Sequence, residues 1–252
     1  MAALALEKPV SALGWLRILL RVGLMAAALL VCIVLHYACR PFTHRRPAAR
    51  LFLFSICWIG GIDVRIEGEC VRRGAFLLAN HVSWIDIPAI SLANGAAFVG
   101  HDGLASMPLL RWLCRMNDTV FVARHDRASV QEQVQQVRAA IRDTGALAIF
   151  PEGTTSDGTG LLPFKSSLLS ALDPVPPGVA VQPVLLDYGA ETAAIAWVGT
   201  EHGVDNFLRI LARGRPLAVT VRFLPPLHGA ALVNRKTMAS AAREAILAAL
   251  QR

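Results

Sequence analysis

The sequence predicts an α/β fold, a mixed, mostly parallel sheet flanked by helices, preceded by an N-terminal apolar two-helix segment. Short, fully apolar runs typical of buried strands alternate with stretches of helical periodicity from residue 64 onward. Two longer apolar runs precede that region and are separated by a basic break. Because strands and helices alternate along the chain, we expect helices to cover both faces of the sheet.

The composition is that of a globular domain tied to a membrane. Hydrophobic residues make up 54% of the 252 residues, charged residues 17%, and the mean hydropathy is +0.48. This is too apolar for an ordinary soluble domain and too charged for a bundle of membrane-spanning helices. The net charge is +7. Nucleic acid could explain that charge, but the apolar excess favours an anionic membrane face or an anionic substrate.

Five cysteines are scattered along the chain without a C-x-x-C spacing. An odd number in this arrangement argues against a disulfide framework and against a zinc site. We therefore expect a reducing compartment, such as the cytosol or the cytosolic face of a membrane.

The first apolar run, residues 13–35, is interrupted only by Arg17 and Arg21. The two arginines are four positions apart and share one helical face. The uncharged remainder is short for a membrane span, although snorkelling of both arginines to the headgroups would lengthen it. A spanning anchor, an interfacial helix and a cleaved signal peptide all remain open.

A basic break at residues 40–46 is followed by the second apolar run, residues 51–62, which is too short to cross a bilayer. Two apolar helices around a basic turn predict a membrane-docking segment over residues 1–62. The alternative is a pair of buried core helices. Residues 63–252 then form the α/β domain.

Within that domain each element is predicted from its own pattern. Residues 128–143 carry apolar positions at helical spacing and precede Gly145, a helix stop; a helix is also expected from the turn after residue 79 to about residue 92, and another over residues 235–251. Strands are predicted at residues 75–79, 96–100, 119–123, 146–150, 180–186, 193–198 and 217–223.

An imidazole and a carboxylate stand where the strand at residues 75–79 ends. His81 lies in the turn, and Asp86 falls in the first turn of the next helix if Ser83 is its N-cap. A carboxylate beside an imidazole fixes its tautomer and stabilises the imidazolium formed during proton transfer. A general base and a capping box with a structural histidine explain this spacing equally well.

A second candidate site follows the strand at residues 146–150. Glu152 could accept a hydrogen bond from a substrate hydroxyl or fix the turn, and Gly153, Thr154 and Thr155 continue a glycine- and hydroxyl-rich segment able to hold an anion. A plain surface turn is the alternative. Lys165 is a further cationic candidate just downstream.

Arg124 ends the strand predicted at residues 119–123. Arginine suits phosphate or carboxylate recognition because its guanidinium binds in a bidentate manner, although a surface ion pair explains it as well. The sequence has no G-x-S-x-G elbow, no Walker or dinucleotide glycine pattern and no metal-ligand cluster. We therefore predict no cofactor and no metal.

Four motifs in one order resemble the glycerolipid (lysophospholipid) acyltransferase family over roughly residues 50–225. They are Asn80-His81-x-Ser83-x-x-Asp86, Phe121-Val122-x-Arg124, Phe150-Pro151-Glu152-Gly153-Thr154 and Val181-x-Pro183-Val184. The resemblance implies an O-acyltransferase in which His81 is the general base and Asp86 orients it. Arg124, Glu152, Gly153 and Thr154 match its acceptor-binding segments.

The family also implies the partners. A lysolipid accepts the acyl group, and acyl-carrier protein or acyl-CoA donates it as a thioester, with no acyl-enzyme. The N-terminal pair resembles the family's membrane-docking helices, and no nucleic acid is expected. The implied location is the bacterial inner membrane, with the catalytic domain on the cytosolic face.

Two departures bear on the acceptor. Members acting on lysophosphatidate usually carry Arg where Thr155 stands, and the family often has Lys in the segment at residues 100–102. The sequence of residues 152–158 is similar to that found in the bacterial branch of the family that acylates lyso-ornithine lipid. That branch is our expectation, with lysophosphatidate as the alternative acceptor because Arg124 and Lys165 remain, and a non-catalytic lipid-binding module as an alternative from another class.

Overall fold

The computed structural model of the chain describes residues 10–43, 46–101, 108–122 and 130–251. The strands in these ranges are β1 (Ile62–Glu67), β2 (Ala75–Ala79), β3 (Ala97–His101), β4 (Val120–Val122), β5 (Ala146–Ile149), β6 (Ala180–Asp187) and β7 (Leu217–Phe223). The α-helices are α1 (Ala12–Cys39), α2 (Pro47–Gly60), α3 (Asp86–Asn94), α4 (Pro108–Met116), α5 (Val130–Thr144), α6 (Thr192–Ile195), α7 (Gly203–Leu211) and α8 (Arg235–Leu250). Short 3-10 turns occur at Ser166–Leu172, Gly189–Glu191 and Gly229–Leu232.

The described strands form one sheet in the order β1-β7-β6-β2-β5-β3-β4. Five of them, from β6 to β4 in that order, run parallel to one another. Strand β7 pairs antiparallel with β6, and β1 pairs parallel with β7. The prediction of a mixed, mostly parallel sheet flanked by helices is confirmed.

Strand β2 lies near the centre of the sheet and is fully buried along its length. Its side chains alternate between two apolar clusters, with Leu77 packing on the side of α3 and Phe76 on the side of α5 and α8. Because both faces are covered, the strand is a continuous apolar run rather than an alternating one. The chain therefore leaves β2 from a rigid, buried position.

Helix α1 is long and apolar enough to cross a membrane by length and composition. Its first half packs on α7, where Ile18 and Met25 contact Leu211. Arg21 donates from Nη1 to the carbonyls of Leu211, at 2.8 Å, and Arg213, at 2.9 Å. These bonds satisfy carbonyls at and just beyond the end of α7, so the guanidinium of Arg21 binds the protein and is not available to snorkel to headgroups.

Helix α2 starts with a proline in its first turn and ends at Gly60, and it is capped by Gly61, whose φ of 68° is in the left-handed region. The predicted helix to residue 62 therefore ends two residues earlier, and Ile62 opens β1 instead. The helix packs on α1 and α3. Its opposite face leaves Trp58 73% exposed and Phe54 half exposed.

One predicted strand is wrong. Residues 193–198 form the end of α6 and an extended loop, because their backbone groups bind partners other than a strand. Arg209 donates to the carbonyls of Ala194 and Ala196, and the Trp197 amide donates to the Val82 carbonyl at 2.9 Å. This segment is thereby tied to the turn that carries His81.

Three elements were not predicted: β1, α4 and α7. Strand β1 has the strictly alternating sequence Ile-Asp-Val-Arg-Ile-Glu, the pattern of a half-exposed edge strand, so its signal was present. The other predicted strands and helices occur within a few residues of their expected bounds wherever the structure describes them.

Candidate active site

Three segments meet at the carboxyl ends of the central parallel strands, the edge at which α/β proteins commonly bind ligands. We call residues 80–86, which follow β2, the catalytic turn, and residues 150–165, which follow β5, the bracing loop. The third segment begins at Tyr188, directly after β6.

The catalytic turn brings the predicted pair together. His81 Nδ1 lies 2.7 Å from Asp86 Oδ2. The Asp86 side chain is completely buried, whereas the imidazole is 18% exposed. A carboxylate at this nitrogen places the ring proton on Nδ1, which leaves Nε2 as the basic atom.

The sequence predicted that Ser83 caps helix α3 and so builds the turn, and this prediction is wrong. Helix α3 begins at Asp86, its N-cap position is Ile85, and no side chain caps it. Instead Asp86 Oδ2 accepts the backbone N–H groups of Val82, at 2.7 Å, and Ser83, at 3.0 Å. The Ser83 hydroxyl is buried and has no hydrogen-bond partner among the described residues. A carboxylate accepts stronger hydrogen bonds than a hydroxyl, so the acid organises the turn and the serine does not cap the helix.

Asn80 joins the turn to strand β6. Its side chain accepts from the Leu186 amide at 2.7 Å and donates to the Leu186 carbonyl at 3.0 Å. This pair of bonds continues the β2–β6 pairing beyond Ala79, the last paired residue of β2. We refer to it as the Asn80 clasp.

Tyr188, two residues beyond the clasp, donates its hydroxyl to Asp86 Oδ1. The tyrosine is only 4% exposed. Burial, and next the charge of Asp86, raise the pKa of Tyr188 well above its usual value. The phenol is therefore a permanent donor to the carboxylate. Tyr188 was not among the predicted site residues.

Phe150 stacks on the imidazole of His81, with ring centroids 4.0 Å apart and planes inclined by 12°. Phe98 supports Phe150 from behind at a centroid distance of 6.1 Å. The imidazole is thus held in its plane by the stack and in its rotation by Asp86. This contact was also missed, although an aromatic residue before the Pro-Glu pair was visible in the sequence.

Glu152 is buried, with 1% exposure, and each of its oxygens accepts a backbone amide. Oε1 accepts from His81 at 2.8 Å, and Oε2 accepts from Leu162 at 2.9 Å. Burial raises the pKa of Glu152, and the two backbone hydrogen bonds partly oppose that rise. Of the two roles that the sequence allowed, this geometry supplies the second, fixing the turn; contact with the substrate stays a prediction.

Two more residues of the bracing loop turn inward. The Thr155 hydroxyl donates to the Trp197 carbonyl. Ser156 donates its amide to the His81 carbonyl at 2.7 Å and its hydroxyl to the same oxygen at 3.2 Å. Thr155 therefore joins the loop to the 197 segment instead of presenting its hydroxyl to solvent.

The outer side of the bracing loop carries the remaining predicted positions. Thr154 and Lys165 are exposed. The Lys165 amide donates to the Pro151 carbonyl at 2.8 Å, and the Gly153 amide donates to Phe150 at 3.0 Å. Arg124 lies outside the described residues.

Comparisons with known proteins agree on one class. A family model described as Acyltransferase matches residues 63–187. The chain is 32% identical to the lyso-ornithine lipid O-acyltransferase of Rhodobacter capsulatus, over 95% of this chain and 92% of that protein. It is 33% identical to the protein of the same description from Rhizobium meliloti, over 89% of this chain and 82% of that protein.

Among solved structures, the chain resembles the 1-acyl-sn-glycerophosphate acyltransferase of Thermotoga maritima. The TM-score is 0.66 at 22% identity, with 94% of this chain and 95% of that chain covered. At this identity the likeness establishes the fold, which includes the sheet and its flanking helices.

Proposed function

Because this chain belongs to the acyltransferase family, we propose that it moves a fatty acyl group from a thioester donor to the free hydroxyl of lyso-ornithine lipid. The observation that carries the proposal is the 2.7 Å contact between His81 and a fully buried Asp86. Two relatives described as lyso-ornithine lipid O-acyltransferases, similar over most of the chain, support the acceptor.

The reaction is a direct transfer. His81 Nε2 takes the proton of the acceptor hydroxyl while the hydroxyl oxygen attacks the thioester carbonyl carbon. The new C–O ester bond forms, the C–S bond breaks, and the imidazolium returns its proton to the departing sulfur. Asp86 stabilises the imidazolium between these two proton transfers.

The remaining buried residues position the base. Phe150 holds the plane of the ring, and Glu152 holds the backbone of His81 through its amide. Arg124, Thr154 and Lys165 are our proposed acceptor contacts, and the exposure of Thr154 and Lys165 leaves both side chains accessible to a substrate. Thr155 supplies no cation and is bound to Trp197, which favours an acceptor other than a phosphate monoester.

We place α1 and α2 in the membrane interface. Contacts between α1 and the domain run from Ile18 to Tyr37, which accepts a hydrogen bond from Trp112 on α4 at 3.4 Å. A helix held to the domain in its first half and again near its end lies beside the domain and does not cross the bilayer independently of it. Exposed apolar side chains remain on the same two helices and the link between them: Leu16, Leu19, Leu20, Leu30, Val31, Val34, Phe42, Phe54 and Trp58.

The proposed location is the cytosolic face of the bacterial inner membrane, with acyl-carrier protein as donor. All five cysteines are free thiols, as expected in a reducing compartment. The basic net charge of +7 suits an anionic carrier protein and anionic lipid.

An acceptor panel tests the reaction. Purified protein in mixed micelles is given acyl-carrier-protein or CoA thioesters with lyso-ornithine lipid or lysophosphatidate, and the products are identified by mass spectrometry. We expect ornithine lipid from the first acceptor and a loss of about 10²- to 10⁴-fold in His81→Ala. His228→Ala, on an exposed loop, is the matched control and should retain activity.

Three results would contradict the proposal. Diacyl product from lysophosphatidate alone would reassign the acceptor. Free fatty acid as the main product would indicate a hydrolase. Undiminished transfer by His81→Ala would remove the general base.

Vesicle flotation tests the membrane contact. The triple variant Phe42→Ser, Phe54→Ser, Trp58→Ser should lose most of its binding to anionic vesicles. Val233→Ser, which removes an equally exposed apolar side chain outside the two helices, should bind like the parent protein. Equal flotation of both variants would rule out this face.

A further inference from the structure

Within the described part of the chain, the Asp86 carboxylate receives four hydrogen bonds, and three of them come from its own turn. His81, Val82 and Ser83 all lie within five residues of the aspartate and all donate to Oδ2. The donor to Oδ1 is Tyr188, 102 positions away along the chain. The local turn thus fixes the position of Oδ2, and a residue that follows a separate strand, β6, fixes the position of Oδ1.

The Asn80 clasp explains how Tyr188 reaches this position. Strand β6 pairs with β2 up to Val184, opposite Ala79, and the clasp then fixes Leu186 beside Asn80. The chain continues for two residues to Tyr188, and its phenol reaches Oδ1, the carboxylate oxygen that His81 does not contact. The tyrosine ring packs in the main apolar cluster, which limits its rotation.

Without a donor at Oδ1 the carboxylate could reorient, because rotation about its last side-chain bond is soft. Either oxygen could then face the imidazole, and an oxygen in a fully buried site would lack a partner. The phenol is held protonated by burial, so it orients the carboxylate without taking part in proton transfer. Cys57, on α2, is the other titratable group that faces the phenol, and burial raises its pKa to about 12, so the thiol stays neutral near neutral pH.

We propose that Tyr188 is a positioning residue for acyl transfer, which acts on His81 through Asp86 by fixing the carboxylate in the orientation that holds the imidazole. The proposal rests on the proposed function, because it assumes that His81 is the base. It adds a residue that no sequence motif marks and that does not touch either substrate.

A substitution at Tyr188 has a predictable kinetic signature. In Tyr188→Phe the carboxylate loses one donor, so its charge is less dispersed and it holds the imidazolium more strongly. The acid limb of the kcat/KM profile should then move to higher pH. We expect kcat at the optimum to fall by about tenfold to a hundredfold, with KM for both substrates within about twofold.

The two tyrosines of the chain permit a sharper probe. In a Tyr37→Phe parent, Tyr188 is the sole tyrosine, and biosynthetic 3-fluorotyrosine replaces it alone. Fluorination makes the phenol a stronger donor without changing its shape appreciably. The acid limb should move to lower pH than in the parent, opposite to the change in Tyr188→Phe, and this probe remains informative if the Phe variant fails to fold.

The outcomes separate the inference from the function beneath it. If the parent protein transfers no acyl group, the proposed function fails. If the parent is active but the acid limb is unmoved by fluorination, or moves in the same direction in both proteins, Tyr188 has only a packing role. Opposite shifts with unchanged KM support the proposal.

Discussion

The catalytic turn and the bracing loop leave neighbouring strands at one edge of the sheet, and they use similar residue types differently. In the catalytic turn the buried acid, Asp86, binds a side chain that remains partly open to solvent. In the bracing loop the buried acid, Glu152, accepts the backbone amides of His81 and Leu162 and is also hydrogen-bonded by the side chain of Ser156. One carboxylate therefore contacts the ring of the proposed base, and the other holds its backbone.

This difference predicts how the two acids respond to loss of charge. Neutralising Asp86 should impair proton transfer itself. Neutralising Glu152 should displace His81 while its chemistry stays intact.

Asp86→Asn should lower kcat by about 10³- to 10⁴-fold, because an amide favours the wrong tautomer of His81 and does not stabilise the imidazolium. Steady-state kinetics with lyso-ornithine lipid measure the loss. Asp63→Asn, at an exposed position of β1, is the matched control. A loss smaller than that of Glu152→Gln would reverse the division of roles.

Glu152→Gln should lower kcat by about tenfold to a hundredfold, with a pH–rate profile of unchanged shape. One of the amides of His81 and Leu162 then faces an NH2 group, and an unsatisfied buried donor costs about 1–3 kcal/mol. Glu69→Gln removes an exposed carboxylate and should have no effect. A moved acid limb in Glu152→Gln would mean that this acid takes part in proton transfer.

Thr155→Val should lower stability by about 0.5–1.5 kcal/mol through loss of the bond to Trp197. For a chain of this size, each kcal/mol corresponds to a fall in Tm of about 2–4 °C. Acceptor preference should be unchanged, since the side chain points away from solvent. Thr200→Val, on an exposed loop, is the control for the change in Tm. If Thr155→Val instead changed which acceptor is used, Thr155 would be a headgroup contact after all.

The smallest expected effect is a change with pH in the free energy of unfolding. Burial raises the folded-state pKa of Glu152 above its usual value of 4.5, so the folded protein binds this proton more tightly than the unfolded chain does. The resulting contribution to the free energy of unfolding is fully present below pH 4.5. The contribution is lost as pH rises through the folded-state pKa. The free energy of unfolding of the parent protein, relative to Glu152→Gln, should therefore decrease from pH 4.5 upward. Chemical denaturation of both proteins at several pH values measures this; an increase would contradict the direction of the shift.

The sequence predicted those parts of the molecule that depend on short-range patterns. Strands β2, β5, β6 and β7 are continuous or alternating apolar runs, so their positions were visible. The His81–Asp86 pair was visible for the same reason, since both residues lie in one turn.

Features that depend on long-range pairing were not visible. Tyr188 reaches Asp86 only because β6 lies beside β2. The residues around position 188 contain no pattern that predicts this pairing. The apolar residues 193–198 suggested a strand, but Arg209 occupies their carbonyls. Ser83 had the spacing of a cap, and only the geometry shows that the carboxylate of Asp86 accepts the turn's amides instead.

The Asn80 clasp also provides a way to observe the resting enzyme. The Leu186 amide hydrogen bonds to the Asn80 side chain in a buried position, so it can exchange with deuterium only when the two segments part. The exchange rate of the Leu186 amide therefore measures how often the catalytic turn separates from β6. A single amide resonance would report on the integrity of the turn without donor, acceptor or turnover.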